Sequence, residues 1–369
     1  LEESGGLSTP PSIAEVETRV REVVEDQIMT GLSPVRLYGG RISDFARYDR
    51  AEGLFLGAGA TIRPISDIAI RGTAGYAFGR ERASGSLRVS GTEAASGWAP
   101  AFEAHYDALG DIGANPGATL LENTITSAAG SRDYLDPYFR RGMAARLRAP
   151  GPKRWSFGLR FEEHRAARDV VSDGPTTDFR QVRAIDEGWL GAIEIAAFFE
   201  LPGAGSLGLA TSAGRLGEKN FASVDADARW NVSDSEERWT GEVRALGGLV
   251  SNGAPAQQAY LLGGRHTLMG HEYRLFAGRA YWLVRGEATV PLRPPWLGIR
   301  GFAAVGSTYL GGWRLPTDWA ARDSQGLRGT VGLGLSLGYD AIRFDVGRAV
   351  WGTGWEAMLS VAPEFRAWM

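Results

Sequence analysis

The chain of 369 residues holds 51 Gly, 17 Pro, 12 Trp, 11 Tyr and 15 Phe, enough for two ordinary soluble domains or one large barrel. A net charge of -3 with 40 scattered Lys and Arg residues leaves no basic surface and excludes nucleic acid as a partner; the lack of cysteine removes disulfides, thiolate metal sites and cysteine nucleophiles together. No stretch reaches the ~18 apolar residues of a membrane helix, so a membrane-spanning structure here has to be a closed β-barrel, the other way of satisfying every backbone hydrogen bond in lipid.

Beginning at Leu1 without a Met or a signal peptide, the chain reads as a mature or trimmed form. Residues 1–11 are rich in Ser, Gly and Pro. Ser12 then stands three before Glu15, a capping-box spacing, ahead of Ile13, Val16, Val20, Val23, Val24 and Ile28 at helical intervals, which predicts one amphipathic helix. From Pro34 the period changes to two and stays there. The boundary falls near residue 32, dividing a linker and helix (1–32) from a β region (33–369).

Fifteen alternating runs follow: 52–63, 67–78, 84–91, 99–109, 137–149, 153–165, 187–201, 205–213, 220–231, 237–249, 278–292, 297–307, 327–339, 341–350 and 354–364. Each has one apolar face. In 187–201 it is Trp189, Gly191, Ile193, Ile195, Ala197, Phe199 and Leu201; in 278–292 it is Ala280, Trp282, Val284, Gly286, Ala288, Val290 and Leu292. Runs of roughly 9–14 residues exceed the ~5–6 of soluble strands and match a tilted bilayer crossing. Aromatics near run ends, such as Trp155, Trp189, Trp296 and Trp355, suit interfacial girdles. Tight turns near 64–66, 149–152, 202–204 and 293–296 alternate with long connections at 110–136, 165–186, 250–277 and 308–326, as in barrels with short periplasmic turns and long outer loops. A chain entering from the periplasm needs one more ascending strand first, and Val35–Ser43 is available, with 44–51 as the first outer loop. The expected fold is all-β: a transmembrane antiparallel barrel of about sixteen strands with a short N-terminal periplasmic helix, wide enough to hold a wet lumen.

The segment 261–278, LLGGRHTLMGHEYRLFAG, followed by RAYWLVRGEATVPL resembles the sixth-loop region of the outer-membrane assembly and secretion superfamily that includes BamA and TamA. The resemblance covers about the final third and places the sixth-loop motif at Gly263, Gly264, Met269, Gly270, His271 and Tyr273. It implies a loop folded into the lumen, an outer-membrane location, and lipid, client proteins or periplasmic partners as contacts. Where the family has a loop arginine stands Met269, and where it has an aspartate in Phe-x-Asp-x-Gly stands Ala304 of Phe302–Gly306. Losing both partners leaves no orphan charge. The loop then needs another anchor, for which His271, Glu272, Tyr273 and Arg274 are the candidates. The 33 leading residues are too few for a periplasmic repeat domain of the family's kind.

His105 shares a face with Glu103 and Asp107, and His164 with Glu162, so an outer-rim peptidase is conceivable, against the simpler reading of solvated rim residues. Arg244, Arg279, Arg285, Glu287 and Arg300 are expected to line the lumen as mutually compensating charges. No metal site and no cofactor is expected. Closure requires 35–43 to pair with 354–364, and Gly39, Gly40 and Pro363 weaken that seam. The expected function is that of a non-enzymatic assembly or translocation barrel, with a passive porin as the alternative.

Overall fold

The computed structural model describes residues 35–361 apart from 40–41, 66, 92–96, 115–116, 130–131, 151–153, 172–178, 235–237 and 339–340. The helix expected over 12–28, Gly40 and Pro363 lie outside the described residues.

The first half of the sheet comprises β1 (Val35–Leu37), β2 (Ala46–Asp49), β3 (Gly53–Ile65), β4 (Ile68–Ala77), β5 (Arg82–Gly91), β6 (Ala99–Asp111), β7 (Pro137–Arg148), β8 (Arg154–Ala166) and β9 (Gly188–Leu201). It continues through β10 (Gly205–Leu216), β11 (Lys219–Ser233) and β12 (Thr240–Val250); β13 (Tyr260–Leu262) and β14 (Phe276–Gly278) form a separate ribbon. The sheet ends with β15 (Ala280–Arg293), β16 (Leu297–Tyr309), β17 (Arg328–Leu337), β18 (Ile342–Ala349) and β19 (Trp355–Val361). Seventeen segments share this antiparallel sheet. β1 and β2 both pair with β3, Val35 opposite Ile62 and Ala46 opposite Leu56, so they are two halves of one position and the described positions number sixteen.

All fifteen predicted runs appear as strands. They form because alternate residues can face lipid and lumen while every backbone group pairs with a neighbouring strand. Ile193 is 58% exposed and Leu333 69%, whereas Leu190 and Leu283, of opposite parity, are 0% and 1%. The apolar face is therefore the outer one, as an antiparallel barrel in a membrane requires. Strands β8 to β11, with 13, 14, 12 and 15 residues, are long enough to cross a bilayer at a tilt.

Two expectations are corrected. Among its described residues, the segment 35–43 is strand over Val35–Leu37 alone; a 3-10 turn (Ile42–Asp44) follows, and β2 occupies the stretch expected as the first outer loop. The ring of Phe45 lies over Gly39, which has no Cβ to exclude it, and the Phe45 N–H donates to the Ile42 carbonyl, so the chain turns there and restarts as a strand. The expected ladder between first and last strands is also missing: among the described residues, no pairing joins β1 or β2 to β19. Among the described residues, hydrogen bonds do not close the sheet.

The long connections fold inward. Residues 112–136, the third connection at the outer end, carry the helix α1 (Leu120–Ala128). Thr119 and Glu122 form its capping box. α1 packs against β2 and touches β19. An apolar core fills the outer end of the barrel: Leu190, Leu216 and Phe221 from the wall meet Leu261, Leu262 and Leu268 from the connection 251–279 and Trp313 and Trp319 from 310–327.

Candidate functional site

The connection 251–279 is the sixth at the outer end, and it lies within the barrel. Gly263 and Gly264 turn the chain with φ of +118° and +71°, conformations that L side chains resist. Leu268 and Met269 are buried. Met269, standing where the resemblance places an arginine, packs against Phe302 and Met358 of the wall, while Ala304 joins the apolar core. An apolar contact thus occupies the place where the resemblance puts an ion pair.

Polar contacts fix the rest of the tip. Thr330 Oγ1 donates to the Met269 carbonyl at 2.6 Å, His271 Nε2 donates to the Gly329 carbonyl at 3.1 Å, and the Gly270 N–H reaches Glu356 Oε2 of β19 at 3.4 Å. The Tyr273 hydroxyl accepts from the Ala118 N–H at 3.0 Å. His266 Nε2 lies 2.8 Å from Glu122 Oε2 of α1. Burial alone would raise the Glu122 carboxyl, but the His266 contact and the helix cap outweigh it and hold it below its ordinary value.

Arg274 is the anchor. Its guanidinium places Nη2 at 2.7 Å and Nη1 at 2.8 Å from the two carboxylate oxygens of Asp111, and Nη1 also reaches Asp136 Oδ2 at 3.0 Å. This is the paired, planar geometry that only arginine supplies. Arg180 and Arg183 reach the same Asp136 at 3.2 Å each, and Arg183 Nη2 donates to the Arg274 carbonyl. Burial pushes the Asp136 carboxyl up; Arg180, Arg183 and Arg274 together overcome it and hold it well below the usual carboxylate range. Asp136 thereby joins three outer connections at one buried carboxylate.

Below this plug the wall carries paired charges. Arg300 is fully buried and places Nη1 at 2.8 and 2.9 Å from the carboxylate of Asp345. Glu287 sits among Arg285, Arg300 and Arg343 at 3.2, 3.0 and 3.6 Å. Arg244 binds Asp227. Arg279 differs from the other predicted lumen charges: it lies at the exit of the sixth loop, and its Nη1 donates to the Val250 carbonyl.

The rim residues do not assemble as an Asp–His pair. A β-bulge between His105 and Ala108 separates the ends of β6, Asp107 is held by Arg80 at 2.6 Å, and His105 and His164 both face Glu162. Gln257 of the sixth loop covers His164 at 3.1 Å. Of the seam residues, Gly39 lies in the turn after β1.

No protein-family model matches the chain, and no curated protein matches it. Among solved structures it is similar to the crystal structure of BamA from Haemophilus ducreyi lacking POTRA domains 1-3, with a TM-score of 0.55 and 16% identity over 85% of this chain and 69% of that one. CdiB from Acinetobacter baumannii aligns at a TM-score of 0.48 and 14% identity, over 85% of this chain and 57% of that one. CdiB from Escherichia coli aligns at 0.47 and 13%, over 89% and 62%. The chain thus spans less than two thirds of either CdiB. At such identities the likeness is one of fold: the chain has the fold of the BamA barrel.

Proposed function

We propose that this barrel resides in a bacterial outer membrane and serves protein assembly or translocation, with its outer mouth shut by its own sixth loop, and that it is not a passive porin. The carrying observation is the docking of that loop: Arg274 is held between Asp111 and Asp136 while Met269 is seated on Phe302 and Met358. A porin keeps an open aqueous path, whereas here an apolar core and a buried charge hub fill the outer end. Lipid surrounds the apolar outer face, and the partners are client proteins or periplasmic factors reaching the lumen from the inner end. No catalytic role is assigned, because the rim histidines share Glu162 beneath the loop.

Single-channel conductance in planar bilayers tests this. The unaltered protein should give a small, flickering current, and Arg274→Ala, which frees the plug, a larger and steadier one. A large steady current from the unaltered protein would put the porin reading in its place.

A further inference from the structure

Two outward N–H groups at the end of β2 are already occupied. In an antiparallel strand, alternate N–H groups point to one neighbour and then the other. Phe45 shares a backbone hydrogen bond with Gly57 of β3, so Tyr48 and Arg50 direct their N–H groups away from β3, toward the side where β19 ends the sheet. Neither N–H meets a strand. The Tyr48 N–H donates to Thr124 Oγ1 of α1 at 3.2 Å, and the Arg50 N–H donates to Asp133 Oδ2 at 2.7 Å. Both acceptors belong to the third outer connection. Asp133 also takes the Leu135 N–H, and Arg50, fully buried, donates onward to the Leu135 carbonyl at 2.9 Å, so the contact is a fixed one.

From the geometry we infer that α1 and Asp133 are an edge cap: two side-chain acceptors standing in for the carbonyls of a neighbouring strand, which keep the first strand from taking a backbone partner. The inference rests on the assembly reading, and it adds an autoinhibitory contact at the junction of the first and last strands. An exposed strand edge is a template for any extended chain, and covering it is how proteins prevent unwanted pairing. The cap is joined to the sixth loop, since Glu122 of α1 holds His266, and the adjacent Arg265 lies 3.7 Å from Glu356 of β19. Movement of the sixth loop is thereby transmitted to the cap on one side of the seam and to the last strand on the other.

The chain has no cysteine, so spin labels can be introduced at Ala46→Cys and Leu359→Cys, both exposed positions on β2 and β19. Pulsed electron resonance should give one narrow distance in the otherwise unaltered protein. Uncapping with Thr124→Val and Asp133→Ala frees the two donors for β19, and the distance should shorten as a ladder forms. An unchanged distance overturns the inference, and so does a lengthened one, which would mean that α1 holds the two edges together. Thr124→Val alone, nearly the same shape, is the second variant: exchange of the Tyr48 amide should quicken at least tenfold, while amides of the β15–β16 pair keep their rates. No change at Tyr48 also overturns the cap. These readouts are independent of conductance, so the cap and the plugged-barrel reading can fail separately.

Discussion

The tip of the sixth loop turns at Gly270, where φ is +83° and a Cβ would lie 2.5 Å from the Ala349 nitrogen and 2.6 Å from the Gly354 carbonyl oxygen. Gly270→Ala should therefore weaken loop docking by about 1–2 kcal/mol from the left-handed backbone alone, and by more from the collision. Hydrogen exchange of amides 264–273 reads this directly; unchanged protection would show that the tip can retreat at no cost. Asp136 makes a different prediction. A carboxylate held below its ordinary pKa contributes stability that is complete above that value and lost only as pH falls through the folded value. Its own contribution to holding the loop, read as the loss of resistance to limited proteolysis in Asp136→Asn, should be as large at about pH 5 as at about pH 7 and vanish only in stronger acid. An effect of Asp136→Asn that is smaller at the milder pH would mean that Asp136 is not held charged there. Arg274 could be read from the sequence as one of four possible anchors. Asp111 and Asp136 could not, because they lie 163 and 138 residues away and only the inward folding of two connections brings them together.

Strands were legible because lipid and lumen impose a strict period of two, which fifteen runs display and fifteen strands obey. On that basis Val284→Arg or Ile195→Arg, on the outer face, should each cost about 2–4 kcal/mol near the bilayer midplane, while Thr289→Arg, of opposite parity, should be tolerated. Urea unfolding in vesicles measures all three; equal costs would contradict the face assignment. What the sequence concealed were elements too short to show a period. α1 has nine residues inside a stretch read only as a long connection, although Thr119 and Glu122 stood at capping-box spacing. β2 has four residues and follows a turn set by the Phe45 ring over Gly39, a contact that no local pattern announces.

At the scale of the whole molecule, the even count of sixteen followed from turn lengths and a return to the periplasm, whereas the lack of a ladder between the described parts of the first and last strands could not be counted in advance. The inward packing of Trp313, Trp319, Leu261 and Leu268 fills the outer end of the lumen with side chains, while the inner part is lined with charge. That difference has an electrical consequence. A potential across a membrane falls mainly where ions cannot move, so an applied field should be concentrated on the packed plug and on the Arg274 and Asp136 charges within it. Each elementary charge moved through the full field gains about 2.3 kcal/mol per 100 mV, more than a typical hydrogen bond contributes. The plug should act as a voltage-sensitive element: current should rise in steps above a threshold potential, and Arg274→Ala should lower that threshold. A strictly ohmic response in both proteins would place the resistance elsewhere in the barrel.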